Sequence, residues 1–192
     1  MNRLFLVRHG PTHMRAMVGW ADLPADLGDQ TALARLDAWL PGEGLVVSSD
    51  LHRARATADA IAGNRQRLPH RRSLREINFG AWELKSYDEI DATAPDLIRA
   101  FWERPGDSAP PGGESWNQVR RRVDRTIDAL IRAHPGRDLI VVAHFGVILT
   151  QIQRSLSVPA VAAFAHEIDN LSVTSIVLGA DGWRAEAINH LP

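Results

Sequence analysis

Two histidines and two arginines stand where short apolar runs of this sequence end. Leu4–Val7 leads into Arg8-His9-Gly10-Pro11-Thr12, Leu45–Ser48 into Ser49-Asp50-Leu51-His52-Arg53, and Leu139–Ala143 into His144-Phe145-Gly146. If these runs are neighbouring parallel strands, all four side chains converge outside the carboxyl ends of the sheet, where open α/β sheets bind ligands. That grouping suits a phosphate. Arg8 and Arg53 can offer forked donors to its oxygens, and His144, when protonated, adds a third cation. Thr12 and backbone amides at helix starts supply neutral donors. A phosphoryl group in transfer spreads charge over its equatorial oxygens, and cations already in place stabilise it.

His9 is the expected nucleophile. The charge of Arg8 beside it disfavours protonation of the imidazole, which leaves a lone pair for attack on phosphorus. A leaving alkoxide then needs a proton. Glu76, in Leu74-Arg75-Glu76-Ile77, is assigned as the acid and afterwards as the base for water, with Glu83 a nearby competitor. His13 and His52 are expected outside the immediate pocket, and Arg55 to face solvent. The spacing of four between His9 and His13 would align two metal ligands on a helix, but Gly10-Pro11 makes a continuous helix there unfavourable and two arginines would repel a cation. No metal is expected.

The elements that must hold these residues follow from hydrophobic period. Leu4–Val7, Leu45–Ser48, Leu139–Ala143, Val173–Leu178 and, more weakly, Arg184–Ile188 read as strands. Thr31–Leu40, Leu51–Ala62 and Glu114–His134 read as helices. The last carries Trp116, Val119, Val123, Ile127 and Leu130 on one stripe, and its Arg120, Arg121, Arg122 and Arg125 are read as a solvated face. Strands alternating with helices predict a three-layer α/β/α sandwich with a mostly parallel sheet, ending in an antiparallel edge hairpin through Gly179-Ala180-Asp181-Gly182. Residues from about 76 to 113, rich in proline and glycine, read as a short lid inserted over one end of the sheet within a single domain spanning 1–192. Trp39 and Trp116 are placed in the core; Trp20, Trp82 and Trp102 fall in loops or the lid, where they could line an entrance.

Composition excludes several alternatives. The 192 residues are 45% hydrophobic and 23% charged, with a net charge of −1, so no global field draws in nucleic acid or an anionic membrane. There are no cysteines, which removes disulfides and thiol chemistry and fits a reducing compartment. The apolar run Leu4–Val7 is too short for a signal peptide and no run is long enough to span a membrane, so a cytoplasmic protein is expected.

In order along the chain, LVRHGPT (6–12), GWADLPADLGDQ (19–30), SSDLHRARATA (48–58), LREINFGAWE (74–83), PPGGES (110–115) and VVAHFGV (141–147) resemble the histidine phosphatase superfamily, in the phosphoglycerate mutase-like branch. The resemblance covers nearly the whole chain. It implies the phosphoglycerate mutase-like fold, a phosphohistidine at His9, phosphate binding by Arg8, Arg53 and His144, proton transfer by Glu76, and neither metal nor cofactor. Three positions depart from the family pattern: Arg15 where an asparagine is common, Phe145 after the second histidine, and Leu84-Lys85 after the Trp-Glu pair. Arg15 and Phe145 are therefore expected to border the leaving-group space. The short lid favours a phosphatase of small phosphorylated metabolites, similar to α-ribazole and broad-specificity phosphatases. A phosphoglycerate mutase and a non-catalytic phosphate-binding module are the alternatives. The edge hairpin leaves room for a homodimer.

Overall fold

The computed structural model describes residues 2–180 and 182–192. Five strands form one sheet in the order β2-β3-β1-β4-β5, with β1 at Asn2–Arg8, β2 at Leu45–Ser48, β3 at Leu139–Ala143, β4 at Val173–Gly179 and β5 at Gly182–His190. The first three are parallel neighbours, and β4 and β5 close one edge antiparallel. The weakest strand expectation thus extends at both ends. Asp181 of the expected hairpin turn lies outside the described residues, but β4 and β5 pair up to Gly179 and Gly182 on either side of it.

Alternation along the strands explains the layers. Leu4 and Leu6 of β1 face one way and join the cluster containing α5 (Trp116–Ala133) and α6 (Phe145–Leu156). Phe5 and Val7 face the other way and pack with Leu33, Leu36 and Leu40, on and just after α1 (Gln30–Trp39), and with Ala54 and Ala58 of α2 (His52–Ala60). A strand whose residues are apolar on both faces must be covered on both, which gives α/β/α. The stripe of α5 is buried as its period requires, and Ser115 and Gln118 close a capping box at its start. Trp39 departs from expectation. The apolar stripe of α1 runs through Leu33, Leu36 and Leu40 and leaves Trp39 on its flank, 38% exposed, with its ring against Phe5 and His190.

The 76–113 segment holds a single 3-10 turn at Gly80–Trp82 and the helices α3 (Tyr87–Asp91) and α4 (Pro95–Glu103). Its Ile77, Phe79, Trp82, Ile90, Ile98 and Phe101 belong to the same cluster as β1, β3 and α5. It is built into the core, and Trp82 sits inside that core instead of at an entrance. Phe164, just after α7 (Ala160–Ala163), packs against Trp102 of this segment and Trp116 of α5. No helix among the described residues is long and apolar enough to cross a membrane.

Because Phe101 is almost wholly buried within this shared cluster, Phe101→Ala should lower unfolding free energy by about 3–5 kcal/mol in urea titrations. The transition should stay single; a separate early transition would mean that the segment folds as its own unit.

Candidate active site

Register brings the two histidines together. Arg8 of β1 is paired with Ala143 of β3, so the residues that follow, His9 and His144, leave the sheet side by side. The His9 amide still donates to the Ala143 carbonyl at 3.1 Å, and the two rings lie 5.0 Å apart between centroids. Three further contacts pin the turn. Asn170 Nδ2 donates to the His9 carbonyl at 2.7 Å, the Gly10 amide donates to Thr57 Oγ1 at 2.9 Å, and Thr57 Oγ1 donates to the Arg53 carbonyl at 2.7 Å. A Cβ at Gly10 would stand 2.7 Å from Leu27 and 2.9 Å from the Asp26 carbonyl, so only glycine lets the turn lie this close to the 26–27 loop.

The His9 ring has a fixed tautomer. Nδ1 lies 2.7 Å from the Gly10 carbonyl, which can only accept, so Nδ1 carries the proton. Nε2 accepts from Arg53 Nε at 3.2 Å, and a guanidinium can only donate, so Nε2 holds a lone pair. Burial first, then the charge of Arg53, then that of Arg8, pushes the His9 pKa down from 6.5 to about 3, against the opposing bond to Gly10. The imidazole is neutral at ordinary pH, with its free pair towards the arginine.

Arg53 is 1% exposed although it is cationic. Two further donors go to the carbonyls of Ala21 (2.9 Å) and Gly19 (2.7 Å). Those carbonyls are placed by Glu83, whose carboxylate accepts from the amides of Gly19, Trp20, Ala21 and Phe79. Glu83, weighed as a competing acid, is therefore saturated by backbone and holds the 19–21 loop. Arg8 donates from Nη1 to the Ile168 carbonyl at 2.5 Å and lies 5.7 Å above the Phe145 ring, while its buried Nε has no partner among the described residues. Both ring nitrogens of His144 are likewise buried without a partner among the described residues. Burial, followed by Arg53 and His9, holds the His144 pKa well below 6.5, so the third cation expected from a protonated His144 is a neutral donor instead. Buried groups of this kind call for a polar ligand.

Glu76 is 6% exposed, and its carboxyl accepts from the amides of Ile77 and Gly146. Burial raises its pKa above 4.5, the two amides and the arginines opposing. Arg122, expected on a solvated face, instead turns inward. Its Nη1 and Nη2 donate to the carbonyls of Ser73, Arg75 and Glu76, and it pairs with Glu114. Charge run and helical spacing could not separate it from Arg121 and Arg125, which are exposed. The parts that Thr57, Asn170, Gly146 and Arg122 play all escaped the sequence reading; the hint was that Thr57, Gly146 and Glu114 fall inside the motifs. Trp20 caps the same region, with its indole N–H on the Glu76 carbonyl and its ring between Arg72 and Arg75, each 5.1 Å away.

The other expected residues are more scattered. Thr12 is half-buried, and Arg15 is exposed; neither takes part in a side-chain hydrogen bond among the described residues. Phe145 is tied to the site through Arg8. His13 is exposed and pairs with Asp26. Arg55, expected in solvent, is half-buried. Among the described residues no group of three or more His, Asp or Glu stands together as metal ligands.

Residues 4–191 match the histidine phosphatase superfamily (branch 1). The glucosyl-3-phosphoglycerate phosphatase of Mycolicibacterium vanbaalenii is 34% identical over 173 residues, covering 83% of this chain and 76% of that protein. The adenosylcobalamin/alpha-ribazole phosphatase of Salmonella typhimurium is 29% identical over 174 residues, 87% and 86% of the two chains. The solved structure of Bacillus stearothermophilus YhfR superposes with a TM-score of 0.90 at 27% identity, over 100% of this chain and 98% of that one. The chain spans about half the length (51%) of several other curated relatives, mycobacterial proteins to which it is 32% identical.

Between the unfolded value of 6.5 and about 3, the unfolded chain binds a proton at His9 that the folded chain refuses, so folded stability falls as the pH drops through that window. His9→Gln removes this term. Its stability relative to the parent, from urea unfolding, should improve by up to about 1.4 kcal/mol for each unit the pH falls inside the window. A difference that does not change with pH would show that His9 is not held neutral.

Proposed function

We propose that this chain, which belongs to the histidine phosphatase superfamily, hydrolyses phosphomonoesters of small metabolites through a phosphohistidine on His9. The observation that carries this reading is the neutral His9 ring, with its Nε2 lone pair held against Arg53 and the His144 ring 5.0 Å away. In the first step Nε2 attacks phosphorus as the bond to the ester oxygen breaks. Arg8, Arg53 and His144 donate to the equatorial oxygens, with Thr12 a further neutral donor. Arg53 already points its Nε at the attacking nitrogen, so it need only exchange a lone-pair contact for a phosphate oxygen. Glu76, buried and biased towards its protonated form, gives its proton to the leaving oxygen. In the second step a water attacks the phosphohistidine, Glu76 takes the water's proton, and the N–P bond breaks to release phosphate. The amides of Ile77 and Gly146 hold the carboxyl in place, so one residue serves both half-reactions.

The leaving group fits a small metabolite. Phe145 against Arg8 offers an apolar surface beside the proposed phosphate donors, and Arg15, exposed on the loop after Thr12, is proposed to meet a negatively charged or polar leaving group. Two relatives are named for phosphorylated metabolites carrying a sugar or a ribazole, and substrates of that kind are proposed for this chain. Mutase action is less favoured, since of the basic residues after Arg75 in the 76–113 segment, Arg99 is spent on Asp91.

Hydrolysis of p-nitrophenyl phosphate should persist in EDTA, disappear in His9→Ala, and fall by about 10²–10³ in kcat for Arg53→Ala. Turnover retained by His9→Ala would remove the covalent route. Phosphoglycerate isomerisation dependent on bisphosphoglycerate would assign the mutase instead.

A further inference from the structure

The carboxyl of Glu76 is held asymmetrically. Oε1 accepts the Ile77 amide at 2.9 Å and the Gly146 amide at 3.1 Å, whereas Oε2 only shares the Gly146 amide, also at 3.1 Å. A carboxyl proton cannot sit on an oxygen whose lone pairs already face two N–H donors without setting donor against donor. Gly146 lies in the first turn of α6, one residue beyond Phe145, so the element that starts after His144 also seats this carboxyl. The main chain of Glu76 has no freedom to compensate. Arg122 Nη2 and the Trp20 indole both donate to its carbonyl, at 2.8 and 3.0 Å, and Arg122 Nη1 holds the carbonyls of Ser73 and Arg75. What remains is rotation of the carboxyl itself, and Gly146 limits that: a Cβ there would stand 2.5 Å from Oε1 and 3.0 Å from two side-chain carbons of Ile77.

We propose that Gly146 is a positioning residue that keeps Oε1 on the backbone amides and leaves Oε2 as the oxygen that exchanges the proton, with Arg122 fixing the main chain beneath it. This rests on Glu76 acting as the acid. In the step concerned, the Oε2–H bond breaks as the ester oxygen takes the proton together with the electron pair of its former bond to phosphorus. The pair for the new N–P bond comes from His9 Nε2. Since Oε1 is the free end of a flexible side chain, a methyl at position 146 can be accommodated by turning the carboxyl, at the expense of its aim.

The test compares an ester whose leaving group needs a proton with one whose leaving group does not. For the parent, Glu76→Gln, Gly146→Ala and Arg122→Lys, kcat/KM is measured on glycerol 2-phosphate and on p-nitrophenyl phosphate. The alkyl-to-aryl ratio should fall by about a hundredfold in Glu76→Gln and by about tenfold in Gly146→Ala. Arg122→Lys, which keeps the charge but not the fork that grips three carbonyls, should move the ratio in the same direction. In Gly146→Ala the alkaline limb of the pH profile should also move to higher pH, since an amide that favours the carboxylate has been displaced. If the ratio falls in Glu76→Gln and in neither other variant, the positioning role is overturned while the acid role stands. If it does not fall in Glu76→Gln, the acid role itself fails, and the positioning role with it. Should Gly146→Ala not fold, Arg122→Lys decides alone by the same criterion.

Discussion

The contact between a buried guanidinium and a neutral imidazole is what the rest of this molecule serves. A nitrogen that is to attack a phosphoryl group, as proposed for His9, must keep its lone pair while surrounded by the cations that a phosphate needs, and Arg53 against His9 Nε2 meets both demands. A guanidinium this deeply buried is costly unless its donors are used. Here they are: the carbonyls of Gly19 and Ala21 take two of them, and Glu83 shapes that loop by gathering four backbone amides. The dependence runs from Glu83 through the 19–21 loop to Arg53, and from Arg53 to the protonation state of His9.

The sheet makes this possible by register alone. With Arg8 opposite Ala143, the two histidines that follow are neighbours without any long-range adjustment. The same parallel order brings Ser49 onto the β3 backbone, and from there α2 delivers Arg53 from the side. The carboxyl is supplied from the opposite direction, by a segment whose apolar residues share the core cluster with the sheet and α5. His9 and Glu76, the proposed nucleophile and proton donor, are thus mounted on parts of one packed body, a condition for holding reacting groups to sub-ångström tolerance.

Much of this was legible in the residues themselves. Strands with apolar side chains in every position announce a sheet covered on both faces, and residues placed just past their ends announce a site, which is why Arg8, His9, Arg53 and His144 could be named together. What escaped has a common physical character. Arg122 is one of several arginines on α5, and only the position of the Ser73–Glu76 carbonyls distinguishes it from its exposed neighbours. Gly146 and Asn170 act through backbone contacts to residues 70 and 161 positions away, for which periodicity carries no signal. Trp39 was misplaced because an indole at a helix end looks like core until the stripe of Leu33, Leu36 and Leu40 shows which way α1 faces. The sequence leaves the charge of His144 open, and complete burial among arginines disfavours its protonated form.

The central claim is that His9 remains an uncharged, Nδ1-protonated ring among these cations. Nitrogen-15 NMR of the histidine-labelled protein reports both tautomer and charge for each ring. With assignment by comparison to His9→Gln, the His9 signals should show a protonated Nδ1 and a bare Nε2 that stay unchanged as the pH is lowered well below 6.5, towards the value of about 3 set by its surroundings. A His9 ring that titrates near 6.5, or that carries its proton on Nε2, would contradict the account.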